Sequence, residues 1–152
     1  MKILAVCLGN ICRSPLAEGL LQREVDTRGL DWEIASGGTA GYHTGNPPDP
    51  RSIAVARKHG LDISKQVSHK VSLQDLDYYD LILAMDRQNY RDLENLAHTP
   101  EQRQKLQLLL DYTELSDKVG PDVFDPYWDD SGFEGVYLLL QRAMQRVVER
   151  LV

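Results

Sequence analysis

Short apolar runs alternate with segments of helical periodicity along this chain, and that alternation limits the fold more than any other feature. Residues 2–6 form an apolar run suited to a buried strand, and residues 15–28 follow with apolar side chains at helical spacing. The same strand and helix pattern returns at 80–85 and 87–96. Because strands separated by helices need crossover connections, the pattern predicts a parallel sheet with helices on both faces.

Five further segments complete this plan. A long loop rich in glycine and proline, of the kind that often carries function, is predicted between the second strand and the second helix. The last helix is the clearest, because its apolar residues recur at helical spacing throughout. These segments are strands at 31–35 and 105–110, a loop at 36–49, a helix at 50–59 that ends at Gly60, and a helix at 133–151.

The length of 152 residues is typical of one domain. We therefore predict a single three-layer α/β domain over residues 1–152, with a four-stranded parallel twisted sheet flanked by helices on both faces. Ligands in such folds bind beyond the carboxyl ends of the strands. The segment that follows the first strand is thus the first place to look for a site.

Composition argues against several functional classes. A net charge of −6 disfavours an extended nucleic-acid surface, and no apolar run is long enough to cross a bilayer. Two cysteines are too few for a disulfide scaffold and fit a reducing compartment. Since the N-terminal residues lead directly into the first strand, we expect no export signal and a cytoplasmic location.

The segment from Cys7 to Ser14 combines a cysteine and an arginine, separated by five residues, between a strand and a helix. Backbone N–H groups in such a turn, with the positive end of the helix, form a cradle for a tetrahedral anion. The arginine offers a planar fork for two phosphate oxygens. We predict that phosphate is bound by Leu8, Gly9, Asn10, Ile11, Cys12, Arg13 and Ser14.

Local chemistry adds roles within this loop. Gly9 and Asn10 are residue types that adopt backbone angles closed to most others. The helix dipole and neighbouring N–H donors favour a thiolate at Cys7, which can attack phosphorus and form a phosphocysteine. Ser14 is placed to donate a hydrogen bond to the sulfur, and we expect Ser14 and Pro15 to be the N-cap and first residue of the helix.

The loop resembles the signature of the low-molecular-weight protein tyrosine phosphatases, Cys-x-Gly-Asn-x-Cys-Arg-Ser-Pro, at every specified position. Later segments resemble the family's landmarks in the same order and span nearly the whole chain. They are Ser36, Asp49-Pro50-Arg51, Val67-Ser68-His69-Lys70, Met85-Asp86 and Asp125-Pro126-Tyr127. The resemblance implies hydrolysis of phosphotyrosine on protein substrates, without a metal or cofactor.

The resemblance also implies roles for residues outside the loop. Asp125 would protonate the leaving phenolate and then deprotonate the attacking water. The walls of the substrate cleft would be Leu8, Tyr42, Tyr127 and Trp128. The family usually has tryptophan at the place of Tyr42 and often tyrosine at the place of Trp128, so substrate preference stays open. The polar network that supports the loop would be Asn10, Ser14, Ser36 and His69, with Asp86 orienting His69.

Cys12 allows two interpretations. It is either a packed thiol or a partner that closes a reversible disulfide with Cys7 under oxidative stress. The spacing of the two cysteines is also compatible with a structural zinc site. No second Cys or His pair stands at matching spacing, so we predict no metal.

Two other functions are compatible with the loop. An arsenate reductase would attack arsenate with Cys7, although no cysteine follows Cys12 to relay the oxidation, so it would need an external thiol. A non-catalytic phosphotyrosine-binding module would need no Asp125. We expect a monomer, with a weak dimer as the alternative. The acidic stretch from Asp122 to Glu134 favours substrates with basic residues near the phosphotyrosine.

Overall fold

The computed structural model describes residues 1–152 and contains one four-stranded sheet in which all pairings are parallel. The strands are β1 Lys2–Cys7, β2 Glu33–Gly38, β3 Leu81–Ala84 and β4 Leu106–Leu108, and their order in the sheet is β2-β1-β3-β4. The predicted fold class is confirmed.

Eight α-helices connect and cover the strands. They are α1 Arg13–Thr27, α2 Pro50–Lys58, α3 Leu73–Tyr78, α4 Arg87–Leu96, α5 Pro100–Gln104, α6 Leu109–Tyr112, α7 Ser116–Val119 and α8 Phe133–Leu151, with short 3-10 helices at Pro126–Trp128 and Asp130–Gly132. The helices predicted at 87–96 and 133–151 have the predicted bounds. The four helices that were not predicted, α3, α5, α6 and α7, have four to six residues, too few to show a helical period.

The sheet separates two apolar cores. Successive side chains of a strand point to opposite faces, so Ile3 and Ala5 of β1 pack with α1 and α8, whereas Leu4 and Val6 pack on the side of α4. Both faces are therefore covered, which explains why the two central strands, β1 and β3, are continuous apolar runs rather than alternating ones.

Three predicted elements have wrong boundaries. β2 starts later than predicted and continues to Gly38, because its register with β1 runs up to the pair Cys7 and Gly38. A Cβ at Gly38 would lie 2.8 Å from the carbonyl oxygen of Leu8, so only glycine permits this approach. β4 ends at Leu108, since Leu109 already begins α6. α1 begins at Arg13 rather than at residue 15.

The strand order determines where a site can form. β1 lies between β2 and β3, so the chain leaves β1 toward one side of the sheet and later crosses to the other. The carboxyl end of β1 is thus a switch point of the topology, the usual ligand position in open α/β sheets. The loop after Cys7 lies at this point. None of the helices has the length and apolar character needed to span a membrane.

Candidate active site

Residues 8–12 form a tight turn between β1 and α1. Asn10 has a φ of 56°, in the left-handed region that asparagine tolerates. Gly9 was identified as a residue type that can adopt such angles, but its φ is not positive; a Cβ there would instead lie 3.1 Å from Cδ2 of His43. Close packing against the histidine, rather than backbone angle, favours glycine at this position.

The helix after the turn begins earlier than predicted. Arg13 is the first residue of α1 and Cys12 its N-cap, so Ser14 lies within the first helical turn and does not cap it. The reason is that the Ser14 hydroxyl faces the Cys7 sulfur, at 3.0 Å, instead of the helix amides. The early start directs the N-terminus of α1 into the turn.

The turn presents unpaired N–H donors. None of the N–H groups from Leu8 to Cys12 donates a hydrogen bond within the protein, although Asn10, Ile11 and Cys12 are buried. Buried backbone N–H groups are nearly always paired. Together with the helix N-terminus, these amides form the binding geometry for an anion.

Arg13 has one fixed and one free edge. Its guanidinium is buried, and Nη1 donates to Oδ2 of Asp86 at 2.6 Å and to the carbonyl of Val123 at 2.9 Å. Nε has no hydrogen-bond partner, and Nη2 lies 3.6 Å from Oδ2 of Asp125. Burial alone would lower the pKa of Arg13, but Cys7 and Asp86 outweigh it and raise the pKa above the usual value. The arginine is thus a charged, preoriented donor.

Asp86 was predicted to orient His69, and this is wrong. Its carboxylate is committed to Arg13 and to capping α4, where it accepts a hydrogen bond from the N–H of Asn89. The imidazole Nε2 of His69 lies 3.4 Å from Oδ2 of Asp75 instead. His69 reaches the loop through its backbone, because its N–H donates to Oδ1 of Asn10 at 3.0 Å.

A chain of side-chain hydrogen bonds runs beneath the turn. The Nδ2 group of Asn10 donates to the hydroxyl oxygens of Ser14, at 2.8 Å, and of Ser36, at 2.9 Å. Because Asn10 occupies a lone pair of the Ser14 oxygen, the Ser14 hydroxyl acts as a donor; its nearest acceptor is the Cys7 sulfur at 3.0 Å, and the carbonyl of Gly37 lies farther away at 3.5 Å. The structure therefore brings together four of the residues predicted to support the loop.

Two further residues of this network were missed by the sequence analysis. The Ser36 hydroxyl donates to Oε1 of Glu18 at 2.7 Å, and burial raises the pKa of that carboxyl group. The Ser68 hydroxyl lies 3.0 Å from the carbonyl of Asn10. Glu18 had a detectable signal, since it follows Ser14 by four residues and so lies on the same helix face; Ser68 belonged to a landmark segment without an assigned role.

A cavity of about 250 Å³ opens above the turn. The sulfur, the arginine and the predicted cleft residues share it, together with His43, which the sequence did not single out. Its lining consists of Cys7, Leu8, Gly9, Ile11, Cys12, Arg13, Tyr42, His43, Asp125, Tyr127 and Trp128. The arrangement can hold a tetrahedral anion at its base and an aromatic group at its mouth.

Asp125 and the aromatic side chains form the mouth of this cavity. Oδ1 of Asp125 accepts a hydrogen bond from the N–H of Tyr127 at 3.1 Å, which orients the carboxyl group. The rings of Tyr127 and Trp128 meet edge to face, 4.8 Å apart. Tyr42 and Trp128 are 80% and 86% exposed, so they form the rim, and Tyr127 forms the wall.

Both cysteines are free thiols and buried. Burial, followed by the negative charge of Asp49, raises the pKa of Cys12 to about 12, so Cys12 is a neutral thiol at pH 7. No group of three or more His, Cys, Asp or Glu side chains is arranged to hold a metal ion.

The acidic stretch beside the cavity is largely neutralised within the protein. Asp122 pairs with Arg87 at 2.9 Å, and Glu134 pairs with Lys58 at 2.8 Å. Asp130 is likewise bound by Arg51. This pairing removes the main support for a preference toward basic substrates.

The fold and the Cys–Arg turn together define a phosphatase of the α/β class, and comparison with known proteins agrees. The model of the family described as low molecular weight phosphotyrosine protein phosphatase matches residues 2–152. The chain is 37% identical to the low molecular weight protein-tyrosine-phosphatase YfkJ of Bacillus subtilis, over 97% of this chain and 94% of the relative. It belongs to the low molecular weight phosphotyrosine protein phosphatase family, whose members are hydrolytic enzymes.

Solved structures show the same similarity. A protein tyrosine phosphatase from Entamoeba histolytica has a TM-score of 0.92 at 32% identity, covering 99% of this chain and 96% of that one. An arginine phosphatase from Drosophila has a TM-score of 0.91 at 34% identity, covering 99% and 98%. The two neighbours act on different side chains by their descriptions, so substrate choice must be tested directly.

Proposed function

We propose that the protein hydrolyses phosphotyrosine in tyrosine-phosphorylated proteins, with Cys7 as nucleophile, Arg13 as phosphate clamp and Asp125 as general acid and base. The observation that carries this proposal is the set of unpaired donors on residues that line the cavity with Cys7, namely the amides of Leu8, Gly9, Ile11 and Cys12 and Nε of Arg13. Such preorganised donors stabilise the charge on the equatorial oxygens during phosphoryl transfer.

The reaction proceeds in two displacements. The Cys7 thiolate attacks phosphorus, the bond from phosphorus to the tyrosine oxygen breaks, and Asp125 donates a proton to that oxygen. Water then attacks the phosphocysteine while the Asp125 carboxylate takes up its proton. The sulfur leaves as a thiolate that accepts a hydrogen bond from Ser14, 3.0 Å away.

The mouth of the cavity supports an aryl substrate. Tyr127 and the exposed rings of Tyr42 and Trp128 provide faces on which a phosphotyrosine ring stacks. The base of the cavity lies behind this rim, so a long aryl phosphate reaches Cys7 more readily than the shorter phosphoserine.

The two alternatives are less well supported. An arsenate reductase would form an adduct of Cys7 with arsenate, and a thiol would then attack the Cys7 sulfur, release arsenite and leave a disulfide. Since the chain has only two cysteines and none after Cys12, an external thiol would have to reduce that disulfide. A binding module without catalysis would not need Asp125, yet this carboxyl group faces the cavity 3.6 Å from Arg13.

Hydrolysis of p-nitrophenyl phosphate in the presence of a chelator tests the proposal. We expect Cys7→Ser to abolish turnover while still binding inorganic phosphate in calorimetry, and Asp125→Ala to slow turnover by about 10²- to 10⁴-fold. A wild-type protein that is inactive here but reduces arsenate with added thiols would contradict the proposal. Faster hydrolysis of a phosphoarginine peptide than of the matched phosphotyrosine peptide would overturn the substrate assignment.

We also propose that the protein lies in the cytoplasm and that its activity responds to oxidation. The free thiols of Cys7 and Cys12 support both parts of this proposal. Peroxide would oxidise Cys7 to a sulfenic acid, and the Cys12 thiol would then displace water to form a disulfide. Activity lost to peroxide should return with dithiothreitol in the wild type and stay lost in Cys12→Ser. Equal recovery in both would contradict the disulfide.

A further inference from the structure

Residues 123–132, which we call the acid loop, carry Asp125, and the one hydrogen bond or ion pair that joins them to α2 is made by Arg51. We propose that Arg51 is a positioning residue that holds Asp125 at the leaving-group oxygen, an inference that rests on the proposed general-acid role of Asp125. Arg51 is not part of the cavity lining, so it acts through the loop and not on the substrate.

The anchor of Arg51 is built on the phosphate-binding turn. Asp49 caps α2, and its own N–H donates to the carbonyl of Ile11 at 2.8 Å. Its carboxylate accepts three hydrogen bonds from Arg51: from the backbone N–H at 2.8 Å, from Nε at 3.0 Å and from Nη2 at 2.9 Å. The guanidinium therefore has a fixed orientation relative to the turn that would hold the phosphate.

The flat face of the guanidinium packs on the acid loop and on the residue that follows it. The central carbon lies 5.5 Å from the ring centroid of Tyr127 and 4.7 Å from that of Phe133, the first residue of α8. Nη1 also bonds the carboxylate of Asp130. Since the Asp130 side chain is 86% exposed, solvent weakens this ion pair, and we assign the larger share of the contact to the two rings.

The acid loop transmits this contact to Asp125 because it is internally packed. Phe124 lies so close to Gly132 that a Cβ there would be 2.7 Å from Cε2 of the phenylalanine. The Asp125 carboxylate is bonded to the N–H of Tyr127, whose ring Arg51 supports. Displacement of Tyr127 would thus displace the carboxyl group as well.

A second anchor holds the start of the acid loop. At its start, the N–H of Val123 donates to the carbonyl of Met85 and its carbonyl accepts from Arg13, both at 2.9 Å. These bonds fix the side of the loop nearest the sheet. Arg51 fixes the opposite side, so the loop is held at two points on either side of Asp125.

Leaving-group dependence separates positioning from a general loss of structure. Phenolate is a poor leaving group that needs a proton, whereas 2,4-dinitrophenolate leaves as an anion without one. We expect Arg51→Met to lower kcat/KM for phenyl phosphate by about 10- to 100-fold, as for a misplaced catalytic group. For 2,4-dinitrophenyl phosphate the change should be no more than about threefold.

Related variants make the test more specific. Arg51→Lys keeps the charge but loses the fork and the flat face, so its loss should be intermediate. Asp130→Asn should change the ratio of the two rates by no more than about twofold. Lys58→Met is the matched control, because Lys58 lies on the same helix and pairs with Glu134 outside the acid loop; its ratio should equal that of the wild type.

Asp125→Asn distinguishes failure of this inference from failure of the proposed mechanism. If this variant loses phenyl phosphate activity selectively and Arg51→Met does not, only the positioning role is wrong. If Arg51→Met lowers kcat/KM equally for both substrates, or for neither, the positioning role of Arg51 is refuted and the general-acid role of Asp125 is unaffected. If Asp125→Asn shows no selectivity for the poor leaving group, the general-acid role and the role of Arg51 are both refuted.

Discussion

Replacing Ser14 with alanine should slow hydrolysis of the phosphocysteine more than its formation. The Ser14 hydroxyl lies 3.0 Å from the Cys7 sulfur, and its oxygen already accepts a hydrogen bond from Asn10. Its proton is therefore available to the sulfur, where negative charge reappears as the phosphoryl group is transferred to water. The alanine variant loses this donor at the step that needs it most.

The size of the effect follows from the kind of hydrogen bond. Ser14 is fully buried, so no bulk water replaces its hydroxyl. A hydrogen bond to a charged group contributes about 1.5–3 kcal/mol, which corresponds to a rate loss of about 10- to 150-fold. Breakdown of the phosphocysteine should then limit turnover.

Stopped-flow measurement of p-nitrophenol release provides the assay. Ser14→Ala should show a rapid burst approaching one product per active site, followed by a slow steady rate. Ser52→Ala is the matched control, because Ser52 is equally buried but its hydroxyl faces the carbonyl of Cys12 at 3.4 Å, away from the sulfur. A Ser14→Ala enzyme with unchanged kcat, or with a slow first turnover and no burst, would refute the reasoning.

Three further changes test other parts of the site and fold. Asp86→Asn removes the charge that fixes one edge of Arg13, and the inhibition constant for inorganic phosphate should rise about tenfold in competition assays. Gly38→Ala inserts a methyl group 2.8 Å from the Leu8 carbonyl and should lower the free energy of unfolding by about 1–3 kcal/mol in urea titrations. Hydrogen bonds from Lys58 and then His59 lower the pKa of Glu134. The stabilisation of the folded protein by these bonds is therefore present above the unfolded pKa of about 4.3 and is lost as pH falls through the folded pKa. Glu134→Gln should reduce the loss of stability in acid, measured as the urea midpoint at each pH.

Each of these expectations has a clear contrary result. Unchanged phosphate inhibition in Asp86→Asn would show that Arg13 needs no fixed edge. A wild-type urea midpoint in Gly38→Ala would show that the backbone shifts without cost. If Glu134→Gln loses stability in acid as steeply as the wild type, other carboxyl groups account for the transition.

The fold was largely predictable from the sequence because strands buried on both faces are apolar throughout. Residues 2–6 and 80–85 needed no tertiary information to be recognised. β2 was misplaced because its second half consists of Ser36, Gly37 and Gly38, which have low strand propensity and are held there by pairing with β1. Pairing of this kind is a tertiary effect that local pattern does not show.

Within the site, residues adjacent in sequence were easier to predict than their distant partners. The turn from Cys7 to Ser14 carries its own chemical pattern. The carboxyl partner of Arg13 depends on how β3 and α4 meet, so Asp86 was assigned to the wrong side chain. The spacing of Glu18 from Ser14 indicated its helix face but not its partner, because the contact with Ser36 joins α1 to β2 and exists only after folding.

Rapid acid quenching followed by mass spectrometry tests most directly whether the donor-rich turn supports a covalent phosphoenzyme. During turnover of p-nitrophenyl phosphate by Ser14→Ala, we predict one phosphoryl group per chain, located on the peptide that contains Cys7 and absent from the Cys7→Ser variant. Steady product release with no adduct on Cys7, or an adduct on another residue, would contradict the proposed mechanism.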